Sequence, residues 1–384
     1  MIKISNPQNC CGCTACKSIC PKKAISMEPD ALGFLYPKVN EDLCINCGLC
    51  EKICSFNDHY ETPNNFPEPQ AFGVRHKDIH EVETSRSGAA FIALSDWILE
   101  QGGVVYGAGF VDHFRVAHKK ATTKQKRDEF KGSKYVQSDL GSTFSQVRKD
   151  LQNGLIVMYS GTACQIAGLK SFIGEKLAQN LYLVDIVCHG APSPYIWRDY
   201  LAYIEKKHGK TASFVNFRDK SHFGWKDHKE SVTFEDGSTI FADTYTYLFY
   251  SHIMFRKSCG ICHFTNTRRP SDITIADFWG WEKTDPKMNE DNKGCSLVLC
   301  NTPKGSSLFK TISNSVESWT ALLENCIQPN MEKPSSVHNC RNKFETEFNK
   351  KGFNYTLLRY GNVGPIFEIR KIWWKVKRII RKVV

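Results

Sequence analysis

The sequence predicts two dissimilar parts: a small cysteine-rich α+β unit, then a larger α/β unit built on a mixed sheet. Three observations carry this. Cys10, Cys13, Cys16 and Cys20 recur 34 residues later as Cys44, Cys47, Cys50 and Cys54. The stretch "ETPNNFPEPQ" places Pro63, Pro67 and Pro69 among polar residues, which favours an extended linker. From Ala71 onward, apolar runs of strand length alternate with amphipathic helical runs. The expected boundaries are 1–60, a linker at 61–70, and a main domain over 71–360, with parts at 71–150 and 151–330.

Bulk properties narrow the function classes. A length of 384 residues suits roughly two or three domains. The net charge of +11 is concentrated: residues 367–384 hold seven Lys or Arg against the single acid Glu368. The body is only mildly basic, which argues against nucleic-acid binding by the whole fold. Seventeen cysteines would suggest disulfides in a small secreted chain. Here the opening "MIKISNPQNC" carries no apolar run of signal-peptide type, and no run approaches the ~20 residues that span a bilayer. A cytoplasmic, reducing compartment with metal-bound thiolates is therefore expected.

The elements of the main part follow in order. "QAFGVRH" reads as a short strand, and "SRSGAAFIALSDWILEQG" as a capped helix from about Gly88 to Glu100. "GVVYGAGFV" is a strand, and "STFSQVRKDLQNG" a helix ending at Gly154. "LIVMYS" and "LYLVDIV" are buried strands with a helix between them from about Ala163, which makes a βαβ unit with parallel strands. "SFVNFRD" and the hairpin "SVTFEDGSTIFAD" add antiparallel strands, and "SDITIADFWG" another strand.

The spacing C-x2-C-x2-C-x3-C-P is the bacterial dicluster pattern. Three thiolates on one tight loop hold three corners of a [4Fe–4S] cube, and the fourth cysteine of each run reaches the other cluster. One cluster then takes Cys10, Cys13, Cys16 and Cys54, and the other Cys44, Cys47, Cys50 and Cys20. Cys11 is out of register and reads as a bystander. Zinc prefers separated C-x2-C pairs in a tetrahedral cage. A radical-generating C-x3-C-x2-C pattern fails because position 23 is Lys. The second run has Ser55 where the first has Pro21, which removes no ligand.

In the main part, Cys164 and Cys188 each follow a strand of the βαβ unit, so both emerge at the carboxyl edge, where open α/β sheets bind ligands. "RKSCGICHF" adds Cys259 and Cys262. The four thiols make a third metal site, or Cys164 and Cys188 are small buried hydrophobes. Cys295, Cys300, Cys326 and Cys340 have no metal-like spacing and read as structural.

Cluster chemistry moves single electrons, whereas most organic substrates exchange two, and a flavin bridges the regimes. No G-x-G-x-x-G fingerprint occurs. "TSRSGAAF" ends in a helix N-terminus suited to a phosphate, and "KGSKYVQS" offers Lys131, Lys134 and an aromatic ring; an N-cap and a surface turn are the plainer readings. His189 is placed to shuttle a proton, although a histidine at a strand end more often serves structure.

The ordered set "SRSGA", "KGSKYVQS", "GTACQIAGLKSF", "DIVCHGAPSP", "SCGICHF" and "SDITIADFWG", behind a two-cluster ferredoxin region, resembles the coenzyme F420 hydrogenase/dehydrogenase beta-subunit family over roughly residues 5–330. The resemblance implies a mixed-sheet flavin and iron–sulfur domain. It implies a [4Fe–4S] cluster on Cys164, Cys188, Cys259 and Cys262, and FAD with contacts from Ser85, Ser87, Gly88, Lys134 and Tyr135. Ala163 stands where the family usually has proline, which alters a turn and not a ligand. The implied activity is that of an iron–sulfur flavoprotein oxidoreductase. It would pass electrons between a redox partner such as ferredoxin and a small hydride acceptor or donor. The alternative is an electron-transfer subunit without its own substrate site that serves a partner enzyme.

The tail 367–384 places Ile369, Ile372, Trp373, Val376, Ile379, Ile380 and Val383 on one helical face and its basic residues on the other. It is expected to be a basic amphipathic helix, packed on the body or a partner, or held peripherally at the inner face of an anionic membrane. A peripheral position would suit a surface-polysaccharide pathway.

Overall fold

The computed structural model describes residues 1–56 and 62–371. The N-terminal part holds an antiparallel hairpin, β1 (Ile25–Pro29) and β2 (Leu35–Val39), between the short helices Ala15–Ile19 and Leu49–Lys52.

The main part is a mixed α/β fold. Its first strands are β3 (Gln70–His76), β4 (Val104–Val111), β5 (Arg115–Ala121), β6 (Val157–Thr162) and β7 (Leu181–Ile186). A small antiparallel sheet follows, of β8 (Ala212–Asn216), β9 (Glu230–Phe234) and β10 (Thr239–Ala242). The chain then returns with β11 (Ile273–Asp277), β12 (Ser296–Cys300) and β13 (Val316–Ala321). The large sheet has the order β13-β3-β12-β11-β7-β6-β4-β5. Its central strands β11, β7, β6 and β4 run parallel, and antiparallel strands extend it on both sides.

Both faces of the parallel centre are covered, as the apolar runs of β6 and β7 require. Val157, Tyr159, Leu181 and Leu183 point to one face, against Phe144, Ile166 and Phe172. Met158 and Val184 point to the other, against Leu94, Ile98 and Leu308. This alternation is the two-residue period of a strand.

The N-terminal unit packs directly on the first of these layers. Cys11, Cys13, Ala15 and Phe56 join the same core as Tyr159 and Ile166. The approach is close at Gly168 on the helix Ala163–Ile173, where an added Cβ would lie 2.7 Å from Cys13 Sγ. The proline-rich stretch is likewise held against the body. The Phe66 N–H donates to Asn301 O at 2.8 Å, and Asn65 Nδ2 donates to Arg269 O at 2.7 Å.

Local expectations differ from the structure mainly at element ends. The helix expected from Gly88 begins at Ala90, because Ala89 takes a left-handed φ of 63°. β5, β12 and β13 were not legible as separate strands. Residues 364–371 are helical; most of the expected amphipathic tail, 372–384, lies outside the described residues. No helix among the described residues is long and apolar enough to cross a membrane.

Candidate iron–sulfur and cofactor site

The two N-terminal cysteine loops repeat in conformation as well as in sequence. Gly12 and Thr14 have φ values of 75° and 64°, and Asn46 and Gly48, at the same offset, have 52° and 73°. These left-handed turns give the two loops the same tight course. Burial pushes the Cys16 thiol well up, and its charged neighbours are Cys13, Cys10 and Cys54. The second group forms a separate cleft walled by Cys20, Cys44, Cys47 and Cys50. Each run thus lends its last cysteine to the neighbouring group. Backbone amides reach the sulfurs: Ile2 N–H donates to Cys50 Sγ at 3.2 Å, and Ala24 N–H to Cys20 Sγ at 3.3 Å. Hydrogen bonds of this kind tune cluster potentials.

The main-domain cysteines come from three segments. Cys164 is the second residue of the helix Ala163–Ile173, and Cys188 follows β7. Cys259 lies in the 3-10 turn Lys257–Ile261, and Cys262 ends that turn. A buried ion pair brings the last segment in: Arg269 Nη2 sits 3.0 Å from Asp185 on β7 and also donates to Ile186 O at 2.9 Å. Burial pushes the Cys188 thiol up, reinforced by Cys259, Cys164 and Cys262 as close neighbours. Burial likewise raises Cys259 to about 11 and Cys262 to about 12. Four mutually close thiols, of which Cys188, Cys259 and Cys262 resist charging, are a site for a cation to neutralise. Among the described residues, no three His, Cys, Asp or Glu side chains converge as a single ion requires. The ligands of a cube bind four separate corners and need no such common point.

Two residues join the two regions: Cys11, which the sequence marks as a bystander, and Arg256, which it does not single out. The buried Cys11 thiol packs in one core with Cys13 and Cys164, and these two thiols, with burial, push its pKa well up. Cys11 and Thr162, whose hydroxyl lies 3.3 Å from Cys164 Sγ, hold Cys164 down at about 7 against its burial. Arg256, which precedes the Cys259 turn, reaches the N-terminal loop. Its Nε donates to Cys10 O at 2.8 Å and its Nη2 to Leu35 O at 3.0 Å, and the guanidinium stacks 4.1 Å from the Tyr36 ring. Their only sequence signals were an extra cysteine and an arginine three residues before a cysteine pair.

All four main-domain thiols line a cavity of about 550 Å³ at the carboxyl edge of β6, β7 and β11. That volume lies in the range of small-molecule and cofactor pockets. Ser85, Ser87, Lys134, Tyr135 and His189 also line it. Gly88 is absent from the lining and packs against the sheet, where an added Cβ would lie 2.1 Å from Val74 O. The Ser87 hydroxyl donates to Cys295 O at 2.5 Å, and the Lys134 ammonium to the carbonyls of Glu129, Lys131 and Gly132. Burial lowers Lys134 to about 7. His189 contacts Asn330 Oδ1 at 2.9 Å through Nδ1 and His252 Nε2 at 2.8 Å through Nε2. Burial lowers its pKa, so the ring is held neutral. His118 also lines the cavity, with Nε2 at 2.9 Å from Ser160 O and Nδ1 at 2.8 Å from the Ser138 hydroxyl. Cys295, Cys300 and Cys326 are buried in the core away from the four thiols.

Comparison with known proteins agrees with this division. The chain contains the parts of an iron–sulfur electron-transfer protein related to oxidoreductases. Residues 9–57 match the 4Fe-4S dicluster domain, and residues 156–324 match the family described as the C terminus of the coenzyme F420 hydrogenase/dehydrogenase beta subunit. Residues 156–324 are thus similar to the C terminus of the coenzyme F420 hydrogenase/dehydrogenase beta subunit, with a dicluster domain on their N-terminal side. An uncharacterized ferredoxin of Methanocaldococcus jannaschii is 44% identical over 46 residues, which are 12% of this chain and 25% of the ferredoxin. The match thus spans about a quarter of that relative. A chain of the F420-reducing [NiFe] hydrogenase complex from Methanosarcina barkeri aligns over 77% of this chain and 92% of its own. The sequence identity is 17% and the TM-score 0.47.

Proposed function

We propose that the protein is an iron–sulfur flavoprotein oxidoreductase that exchanges electrons between a redox partner such as ferredoxin and a small hydride-accepting or hydride-donating substrate. The observation that carries this reading is the Cys11 thiol, which packs in one core with Cys13 and Cys164 and lines the cavity beside Cys164. The N-terminal and main-domain cysteine groups therefore stand one side chain apart. Clusters, when bound, would supply one-electron transfer, and a flavin would couple it to two-electron exchange with the substrate.

The chain's residues take these roles. Cys10, Cys13, Cys16 and Cys54 would hold one [4Fe–4S] cluster, and Cys20, Cys44, Cys47 and Cys50 the second. Cys164, Cys188, Cys259 and Cys262 would hold a third beside the cavity. Partnerless buried polar atoms at Ser85 Oγ, Arg86 Nε and Arg218 Nε suit a polar, aromatic cofactor such as FAD. Tyr135 and Lys134 would line its ring or phosphates. His189, neutral and fixed by Asn330, can hold or pass a proton through His252. The membrane-surface and polysaccharide expectations rest on the tail, of which 372–384 lie outside the described residues.

Anaerobic purification with iron, sulfide and flavin quantified together tests the reading. About twelve irons and about one flavin per chain are expected. Clusters without flavin would favour the rival reading, an electron-transfer subunit serving a partner enzyme. About eight irons would remove the third cluster.

A further inference from the structure

One end of the cavity carries more positive charge than the protein neutralises. Arg86 and Arg218 both line it, with side chains 10% and 5% exposed. Asp277, at the end of β11, faces both. It lies 2.6 Å from Arg218 Nη1 and 3.9 Å from Arg86 Nε, the latter beyond hydrogen-bonding range. Arg86 Nη2 donates to Trp225 O, while its Nε and Nη1 are buried with no protein partner, as is Arg218 Nε. The neighbouring Lys220, which burial and Arg86 lower to about 7, turns to the carbonyls of Val82, Ser87 and Lys293. Asp291 and Glu83 lie on the Lys220 side and are paired with Arg75 and Lys293.

Buried guanidinium groups normally find paired acceptors, because a desolvated unpaired charge costs several kcal/mol. Burial, with Arg218 close by, lowers Arg86 to about 10. Aromatic side chains wall the same end. Trp279 lies 5.8 Å from the Arg218 guanidinium, and Tyr135 Oη is 3.4 Å from Arg218 Nη1. The imidazole of His228 is 3.0 Å from Arg218 Nη2. Burial and the two arginines hold it down at about 4, so it stays neutral and leaves the cations as the charged groups.

We propose that Arg86 and Arg218 form an oxyanion subsite of the cavity that binds a phosphoryl or carboxylate group, with the attached ring system against Tyr135 and Trp279. The planar forks of two arginines suit the paired oxygens of such groups. The anion comes from one of two sources: the phosphates of a bound flavin or the acidic group of the substrate. Only that choice rests on the flavoprotein reading; the subsite itself follows from the buried Nε and Nη1 of Arg86 and Nε of Arg218, which have no hydrogen-bond partner.

The test uses the full chain with its clusters, as wild type, Arg86→Gln and Arg86→Lys. Flavin fluorescence reads the binding of FAD, FMN and riboflavin. Tryptophan fluorescence reads the binding of inorganic phosphate and citrate to protein with and without added flavin. If the flavin is the source, FAD and FMN bind at least roughly tenfold more tightly than riboflavin. Arg86→Gln then removes that difference and Arg86→Lys keeps part of it. If the substrate is the source, the three flavins bind alike in all variants. Phosphate or citrate then saturates a site on the flavin-loaded wild type that Arg86→Gln loses. Anion binding with no flavin binding supports the subsite and overturns the flavoprotein reading. Riboflavin binding equal to FAD, with no saturable phosphate or citrate signal in any variant, overturns the subsite. Iron content and melting temperature identify a variant that fails to fold, and the wild-type arms decide the question without it.

Discussion

The two cysteine regions gather their candidate ligands by opposite routes. In the N-terminal unit, all eight ligand candidates lie on two loops of one short repeat, and the same left-handed turns recur at the same offset. In the main domain, four thiols arrive from the helix after β6, the end of β7 and a distant turn, and Arg269 on Asp185 ties that turn to β7. The first site is written in spacing, and the second is assembled by sheet topology. Local sites should therefore survive damage to the fold around them, whereas assembled sites should not.

Selective loss of one ligand gives the largest expected effect. Cys188→Ser should lose roughly a third of the iron and keep the N-terminal signals. Cys54→Ser should lose a cluster whose other three candidate ligands lie in the first run. Iron and sulfide assays with electron paramagnetic resonance (EPR) spectra read both outcomes. Loss of all iron from either variant would erase the distinction between the regions.

Next is the joint between them. Arg256→Leu removes bonds to Cys10 O, Leu35 O and Gln137. It should destabilise the packed unit by about 3 kcal/mol and lower the potential of the cluster at Cys10, because a nearby positive charge favours the reduced state. Denaturant titration and a redox titration measure the two effects; an unchanged potential would separate Arg256 from the cluster.

Gly168→Ala tests the closeness of approach more gently. The new methyl would meet Cys13 Cβ at 2.6 Å and Sγ at 2.7 Å. A loss of about 1–3 kcal/mol is expected, with iron retained in both regions. A neutral result by thermal unfolding would place the N-terminal loop farther from the helix.

The smallest effect belongs to the cavity wall. Burial lowers His118 from 6.5 to about 4, so below pH 6.5 the unfolded chain takes up a proton that the folded chain refuses. Its contribution to stability is present above 6.5 and fades as pH falls toward 4. About 1 kcal/mol should disappear over the first pH unit below 6.5. His118→Gln should flatten that slope in chemical unfolding; an equal slope would show that His118 charges freely in the folded protein.

The sequence made the repeat legible because each ligand loop is shorter than a dozen residues and its chemistry depends on spacing alone. The βαβ unit was legible because the runs around Met158 and Val184 are apolar on both faces, and this placed Cys164 and Cys188 at one edge. Cys11 could not be read as more than an out-of-register cysteine. Its partner Cys164 reaches it only when the helix Ala163–Ile173 packs on the N-terminal loop. Arg256 is separated from Cys10 by 246 positions. Gly88, which the resemblance marks as a flavin contact, lies close against Val74 O in the sheet, a packing that no local pattern announces. Arg86 and Arg218 meet across segments that share no local pattern.

The central claim is that the N-terminal and main-domain clusters are neighbours joined at Cys11. EPR spectra of the fully reduced, cluster-loaded chain test it most directly. Interaction signals beyond those of the N-terminal pair are expected, from coupling between the cluster at Cys13 and the cluster at Cys164, and Cys188→Ser should reduce the spectrum to that of the N-terminal pair alone. A wild-type spectrum equal to the plain sum of non-interacting clusters would contradict it.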